Sequence, residues 1–108
     1  MISIQNSTFA ADINALGAEL SSLRSAASGT EYLWQGDASV WAGRSPLLFP
    51  IIGRLLDDKY RYHGKEYSLP KHGFARTSVF SVSRVTSDSA VFTLTDSPST
   101  RACYPFSF

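Results

Sequence analysis

The residues predict an all-β chain, an antiparallel β-sandwich of short strands. Three observations lead there. Apolar and polar residues alternate at period two in several short stretches, as in Ile2-Ser3-Ile4-Gln5 and Phe80-Ser81-Val82-Ser83. Polar or glycine-containing turns separate these stretches at short intervals. Helical periodicity is weak along the whole chain, and regularly spaced strands with polar turns indicate sheet packed on sheet.

The elements follow in order. Ile2–Gln5 alternates cleanly, and Phe9–Ile13 does so in part. Between Ala15 and Ser25, Leu16, Glu19, Leu20 and Leu23 have helical spacing. Gly17 and the serines oppose a helix, so two short strands around a turn are expected there. Glu31-Tyr32-Leu33-Trp34 is a short aromatic run ended by Gly36-Asp37. Lys59–His63 and Tyr67–Leu69 flank Gly64-Lys65-Glu66 and read as a hairpin, aromatics alternating with charges. Val79–Val85 and Ala90–Thr95 form a second pair across Thr86-Ser87-Asp88-Ser89. Tyr104-Pro105-Phe106-Ser107-Phe108 has the pattern of a strand beginning, and such an unfinished sheet edge favours self-association.

Composition narrows the function class. Hydrophobic residues at 44% and charged residues at 18% describe a globular chain rather than a disordered one. With 108 residues, one domain with a modest core is expected. A formal net charge of +1 argues against nucleic acid or an anionic membrane surface as partner. Cys103 is the only cysteine, so no internal disulfide forms and no metal-ligand spacing surrounds it. Met1–Ala10 lacks the charged and apolar regions of a signal peptide, and Pro46–Ile52 is far too short to span a bilayer. A soluble cytoplasmic protein is the expectation.

The residues that bear chemistry concentrate between Gly53 and Arg76. Arg54 follows the apolar run Leu47–Ile52, a position often found at a strand end facing a cleft. Its guanidinium is a planar fork of donors suited to vicinal hydroxyls or a carboxylate. The competing reading is a surface arginine paired with Asp57 or Asp58. His72 lies beside Gly73, where the backbone can turn and a ligand can approach closely; a histidine capping a loop is the plainer alternative. Arg76, four residues on, shares a face with His72 if the segment is extended, and with Arg54 suits a phosphate.

Other candidates are blander. His63 reads as a solvated hairpin tip, and Asp57-Asp58 as a turn. Trp34, Trp41, Tyr60 and Tyr62 can stack on a sugar ring, although alternating aromatics more often pack a core. No phosphate-binding glycine loop, serine–histidine–acid set or zinc spacing occurs.

At these residues the sequence resembles the aldose 1-epimerase (galactose mutarotase) family, in particular the aldose-epimerase-like and glucose-6-phosphate 1-epimerase branch. The similar pieces are Leu16–Leu20, Tyr32–Asp37, Trp41, Ser45–Leu55, Gly64–Pro70, His72–Arg76 and Tyr104–Phe106, in that order along nearly the whole chain. The resemblance implies the N-terminal part of a galactose-mutarotase-like β-supersandwich, with residues 1–108 a single partial domain. It also implies interconversion of the α and β anomers of a hexose or hexose phosphate, with no cofactor. Residue by residue it assigns sugar binding to Arg54 and His72, and phosphate binding in one branch to Arg76.

The resemblance also implies what these residues lack. The family's principal acid, a second histidine, and its base, a glutamate, both correspond to positions beyond Phe108, so no catalytic residue is assigned here. Glu19, Glu31 and Glu66 lie on matching segments without a catalytic role in the family. The expectation is therefore a mutarotase-like chain with ligand-binding residues but no acid–base pair. The alternatives are a non-catalytic carbohydrate-binding module and an inactive truncated remnant.

Overall fold

A computed structural model describes residues 1–108. Seven strands and one short α-helix are present: β1 (Ile2–Gln5), β2 (Phe9–Asn14), β3 (Glu19–Ser25), β4 (Lys59–Tyr62), β5 (Lys65–Ser68), β6 (Ser81–Val85), β7 (Ala90–Thr93) and α1 (Pro98–Cys103). They form a three-stranded sheet in the order β1-β2-β3 and two hairpins, β4-β5 and β6-β7, all antiparallel. The three pieces lie in a slab whose Cα extents are 57 × 34 × 15 Å.

The first sheet follows from local chemistry. In β1, Ile2 and Ile4 are half-buried while Ser3 and Gln5 face solvent, as period-two alternation requires. The β1–β2 turn is held by Asn6, whose Oδ1 accepts the Thr8 and Phe9 N–H groups, each at 2.8 Å. Between β2 and β3 the chain turns through Gly17 (φ +71°) and Ala18 (φ +46°). Two successive left-handed residues exclude the helix that the leucine spacing allows. Of the two short strands expected around this turn, only the one after Gly17 forms, as β3; β2 ends at Asn14, and Leu16 keeps a single bridge to Val79.

The two hairpins form where they were expected, with adjusted ends. His63 (φ +48°) and Gly64 (φ +75°) make the two-residue turn of β4-β5, and this left-handed pair matches the twist of the strands. Thr86–Ser89 closes β6-β7, where the Thr86 N–H donates to Ser89 O at 2.8 Å. Val79 and Phe80 are not part of β6. Phe80 N–H instead donates to Ala15 O at 2.9 Å, tying this segment to the β2–β3 turn.

Three expectations are corrected. Glu31–Trp34 is not a strand and keeps only a single bridge between Glu31 and Arg24. Its stabilising feature is the Glu31 carboxylate, which accepts the Leu23 and Leu33 N–H groups at 2.9 Å and the Ser22 hydroxyl at 2.5 Å. Leu47–Ile52 is not a strand either, being an extended segment with one parallel bridge, Phe49 to Gly73. Tyr104–Phe108 does not begin a strand. It follows α1 and turns back so that Phe108 N–H donates to Asp96 Oδ1 at 3.3 Å.

The reason for the last correction is aromatic packing. Phe49, Phe74, Tyr104 and Phe108 meet with ring centroids between 5.1 and 6.3 Å apart. Helix α1 itself carries a start signal: Ser97 caps it, Pro98 opens it, and Ser97 and Thr100 exchange side-chain-to-backbone hydrogen bonds. Tyr60 of β4 reaches across to this helix and donates its hydroxyl to Cys103 O at 2.7 Å. That bond sets the β4-β5 hairpin against the end of the helix.

Candidate functional site

Two loops meet at the centre of the segment singled out by sequence. The first carries Gly53 and Arg54, the second His72 to Arg76. Their junction is a pair of hydrogen bonds. His72 N–H donates to Gly53 O at 2.8 Å, and Gly53 N–H donates to His72 Nδ1 at 2.9 Å. Both residues are left-handed, with φ +86° at Gly53 and +65° at His72. Histidine is among the few residues with side chains that enter this region readily, and here its ring completes the turn.

The same two segments are joined again at Phe49, four residues before Gly53. Phe49 O accepts the Phe74 N–H at 2.9 Å and the Ala75 N–H at 3.2 Å. Gly73 packs directly on that carbonyl: a Cβ at this position would lie 2.2 Å from Phe49 O. Only glycine allows the approach, which also brings His72 against Gly53.

Arg54 is exposed, its side chain retaining 64% of its accessible surface. Its Nε lies 3.1 Å from Asp58 Oδ1. That oxygen is shielded from solvent and takes no aligned hydrogen bond, so the contact is an ion pair without hydrogen-bond geometry. Asp57 and Asp58 form the expected turn, both with positive φ, as a short 3-10 turn after Leu55. The competing surface-pair reading of Arg54 is thus realised, with Asp58 as partner. Exposed pairs of this kind contribute little to stability.

Arg76 is placed differently from expectation. Ala75–Thr77 is a 3-10 turn rather than an extended segment, so alternation does not place Arg76 beside His72. Its Nη2 donates to Lys71 O at 3.2 Å, which folds the guanidinium back over the His72 loop. The backbone there is anchored from the first sheet: Gly17 N–H donates to Ser78 O at 2.8 Å, and a Cβ on Gly17 would stand 2.9 Å from Arg76 O.

The electrostatics of the site are those of a neutral histidine among cations. Partial burial, then the positive charges of Lys71 and Arg76, hold the His72 pKa below its usual value. With Nδ1 accepting from Gly53, the neutral ring carries its proton on Nε2 and presents a single N–H donor. Lys71 and Arg76 stand near enough for their charges to act on His72, while the Arg54 guanidinium is tied to Asp58.

The carboxylates are committed elsewhere. Glu31 is held by Ser22, Leu23 and Leu33, as above. Glu19 Oε1 accepts the Arg44 and Ser45 N–H groups at 2.9 and 3.0 Å. Glu66 pairs with Lys59 at 3.3 Å across the β4-β5 hairpin.

The aromatic candidates make internal contacts, although Trp34, Trp41 and Tyr62 stay exposed. Tyr60 stacks on Tyr67 at 5.4 Å, Tyr62 packs edge-on against Phe106 at 4.9 Å, and Trp34 Nε1 donates to Trp41 O at 2.8 Å. His63 occupies the hairpin tip, as expected. The site element that residue types do not reveal is the Gly53 peptide N–H. Its only signal in the sequence is a glycine directly before Arg54.

Known proteins share this arrangement of loops and strands. A galactose mutarotase related enzyme from Lactobacillus acidophilus superposes with a TM-score of 0.95 and 42% identity, over 98% of this chain and 35% of that one. A galactose mutarotase-like protein from Lactobacillus casei ATCC 334 gives the same TM-score and identity, over 99% of this chain and 36% of that one. Protein LacX of Lactococcus lactis subsp. lactis, plasmid form, is 34% identical over 98 residues, 86% of this chain and 32% of that protein. The chain therefore spans about a third of the length of these relatives. Its antiparallel sheets are those of the galactose-mutarotase-like β-sandwich. The family model described as Aldose 1-epimerase matches residues 1–108. The chain belongs to the aldose 1-epimerase family.

Proposed function

We propose that these residues form the sugar-gripping part of an aldose 1-epimerase site, for a hexose or a hexose 6-phosphate. The observation that carries this reading is the paired hydrogen bonding of Gly53 with His72. It seats an imidazole N–H donor beside the peptide of Arg54, on loops locked together by Gly73. Sugar hydroxyls and the ring oxygen are acceptors that such donors recognise. A 6-phosphate would add charge-assisted bonds to Arg54 and Arg76.

Anomer interconversion in the full-length protein needs a base for the anomeric hydroxyl proton and an acid for the ring oxygen. Neither role is supplied here. Glu19, Glu31 and Glu66 are engaged in structural contacts, and His72 is a neutral donor whose second nitrogen is occupied by Gly53. On this reading the 108 residues bind and orient a sugar, while the proton transfers belong to groups outside them. The occupied carboxylates also favour the second reading, a carbohydrate-binding module without catalysis.

The test is mutarotation of α-glucose, α-galactose and a hexose 6-phosphate against buffer, together with NMR titration of each sugar. Binding that shifts His72 and weakens about tenfold in Arg54→Ala, with mutarotation at the buffer rate, is the expected result. Mutarotation above buffer that disappears in His72→Ala would overturn the division of labour. Absence of any sugar-dependent shift would overturn the ligand class.

A further inference from the structure

Asp58 is an unusual residue for the backbone it occupies. It is left-handed, with φ +57°, directly after Asp57 at +53°. Glycine adopts this conformation without strain, whereas a residue with a Cβ loses stability there. The turn nonetheless fixes it: Asp58 N–H donates to Leu55 O at 3.1 Å, and Asp58 O accepts the N–H of the fully buried Leu69 at 2.8 Å. The exposed pair with Arg54 offsets little of the strain. Stability therefore does not account for an aspartate at this position, and strain kept at one residue points to function.

The two oxygens of its carboxylate are unlike. Oδ1 is shielded from solvent, takes no hydrogen bond and faces Arg54 Nε at 3.1 Å. Shielding a carboxylate oxygen in this way is unfavourable unless a cation faces it, and Arg54 is that cation. Oδ2 makes no hydrogen bond within the chain and stays open to solvent, the side chain as a whole being 44% exposed. The pair thus sets guanidinium N–H donors beside an open carboxylate acceptor, with formal charges that cancel. Lys71 and Arg76, the cations that act on His72, have no carboxylate partner. Of these three cations, Arg54 alone is neutralised.

We infer that Asp58 is a specificity-determining residue of the sugar grip, one that turns its Arg54 end toward neutral hydroxyls and against a phosphate group. A sugar hydroxyl both donates and accepts, so it can engage the carboxylate and the guanidinium together. A phosphate dianion only accepts, and at Arg54 its charge would stand beside the Asp58 carboxylate, where like charges repel. The inference rests on the reading of Arg54 as a sugar-binding residue and adds to it the choice between a hexose and a hexose 6-phosphate. Lys71 and Arg76 attract an anion whatever stands at position 58, so comparing variants of Asp58 removes their effect.

The test is NMR titration of the 108-residue chain with glucose and with glucose 6-phosphate, for the wild type, Asp58→Asn and Asp58→Gly. Asparagine and glycine both enter the left-handed region readily, so urea unfolding midpoints should stay close to that of the wild type. At low salt, both variants should shift the ratio of the two affinities toward glucose 6-phosphate by about threefold or more. The shift should fade at about 1 M salt, where charges are screened within about 3 Å. Wild-type sugar binding with an unchanged ratio in both variants would overturn the inference and leave the sugar grip standing. Equal weakening of both ligands, in step with lost stability, would also overturn it, since that is what a purely structural aspartate does. No sugar-dependent shift in any of the three chains would overturn the sugar grip itself, and this inference with it.

Discussion

Gly53 and His72 are joined by two hydrogen bonds in opposite directions: the His72 peptide donates to the Gly53 carbonyl, and the Gly53 peptide donates to the His72 ring. The second bond requires an unprotonated Nδ1. Protonating the ring would set two N–H groups against each other, and the charges of Lys71 and Arg76 oppose the imidazolium further. Nitrogen-15 NMR of labelled histidine should therefore show the Nε2–H tautomer near neutrality. The folded pKa lies below the unfolded value of about 6.5. The contribution to stability is accordingly complete above that value and is lost as pH falls through it toward the folded pKa. His72→Gln should flatten this part of the pH profile. An Nδ1–H tautomer in the spectrum would contradict the geometry.

Gly73 and Gly29 separate backbone conformation from contact. Both are left-handed, at φ +70° and +73°. A Cβ on Gly73 would stand 2.2 Å from Phe49 O, whereas one on Gly29 meets nothing within 4 Å. Gly29→Ala should cost about 1 kcal/mol, the strain of the left-handed region alone. Gly73→Ala should cost about 3 kcal/mol or more, because backbone must move, and should weaken sugar binding by displacing His72. Urea unfolding of the two variants under identical conditions measures the difference, and equal losses would refute the contact argument.

Glu31 makes the region after β3 acid-sensitive. Its pKa is held below the usual carboxylate value, first by the Ser22 hydroxyl and then by the Leu23 peptide. The stabilisation is present above the unfolded pKa of about 4.3 and is lost as pH falls through the lower folded value. Glu31→Gln replaces one acceptor oxygen by an amide group that cannot accept. It should lower the melting temperature at neutral pH and reduce the steepness of the acid transition. An unchanged acid transition would show that Asp12 and Asp96, also held low by hydrogen bonds, dominate instead.

Tyr60 links the β4-β5 hairpin to α1 through a single bond to Cys103 O. Its burial raises the phenol pKa, in keeping with a hydroxyl kept as donor. Tyr60→Phe should cost about 1 kcal/mol and speed amide exchange within Pro98–Cys103. If exchange in the helix does not change, the aromatic packing of Tyr104 and Phe106 holds it without the bond.

Much of this was legible in the residues, for physical reasons that differ by element. The β4-β5 and β6-β7 hairpins could be read because their contacts are local: alternation sets the faces, and residues such as His63 and Gly64 set the turn. The candidate donors Arg54, His72 and Arg76 could be named by residue type, but their arrangement could not. Helix α1 was missed although Ser97, Pro98 and Thr100 announce it, because at six residues it has no periodicity to detect. Glu31–Trp34 was misread because its partner is a carboxylate capping β3, not a strand.

The sequence by itself determined the all-β class, the paired strands, the family and which residues are the candidate donors. Only the tertiary structure decided how those donors stand. It set Arg54 against Asp58, folded Arg76 back on a 3-10 turn, turned Tyr104–Phe108 into an aromatic cluster and locked His72 onto the Gly53 peptide. The reason is that these contacts run through backbone carbonyls and amides that are alike at nearly every position. Residue types therefore carry no record of which distant peptide will be met, and that choice falls to packing, here to the absence of a Cβ at Gly73.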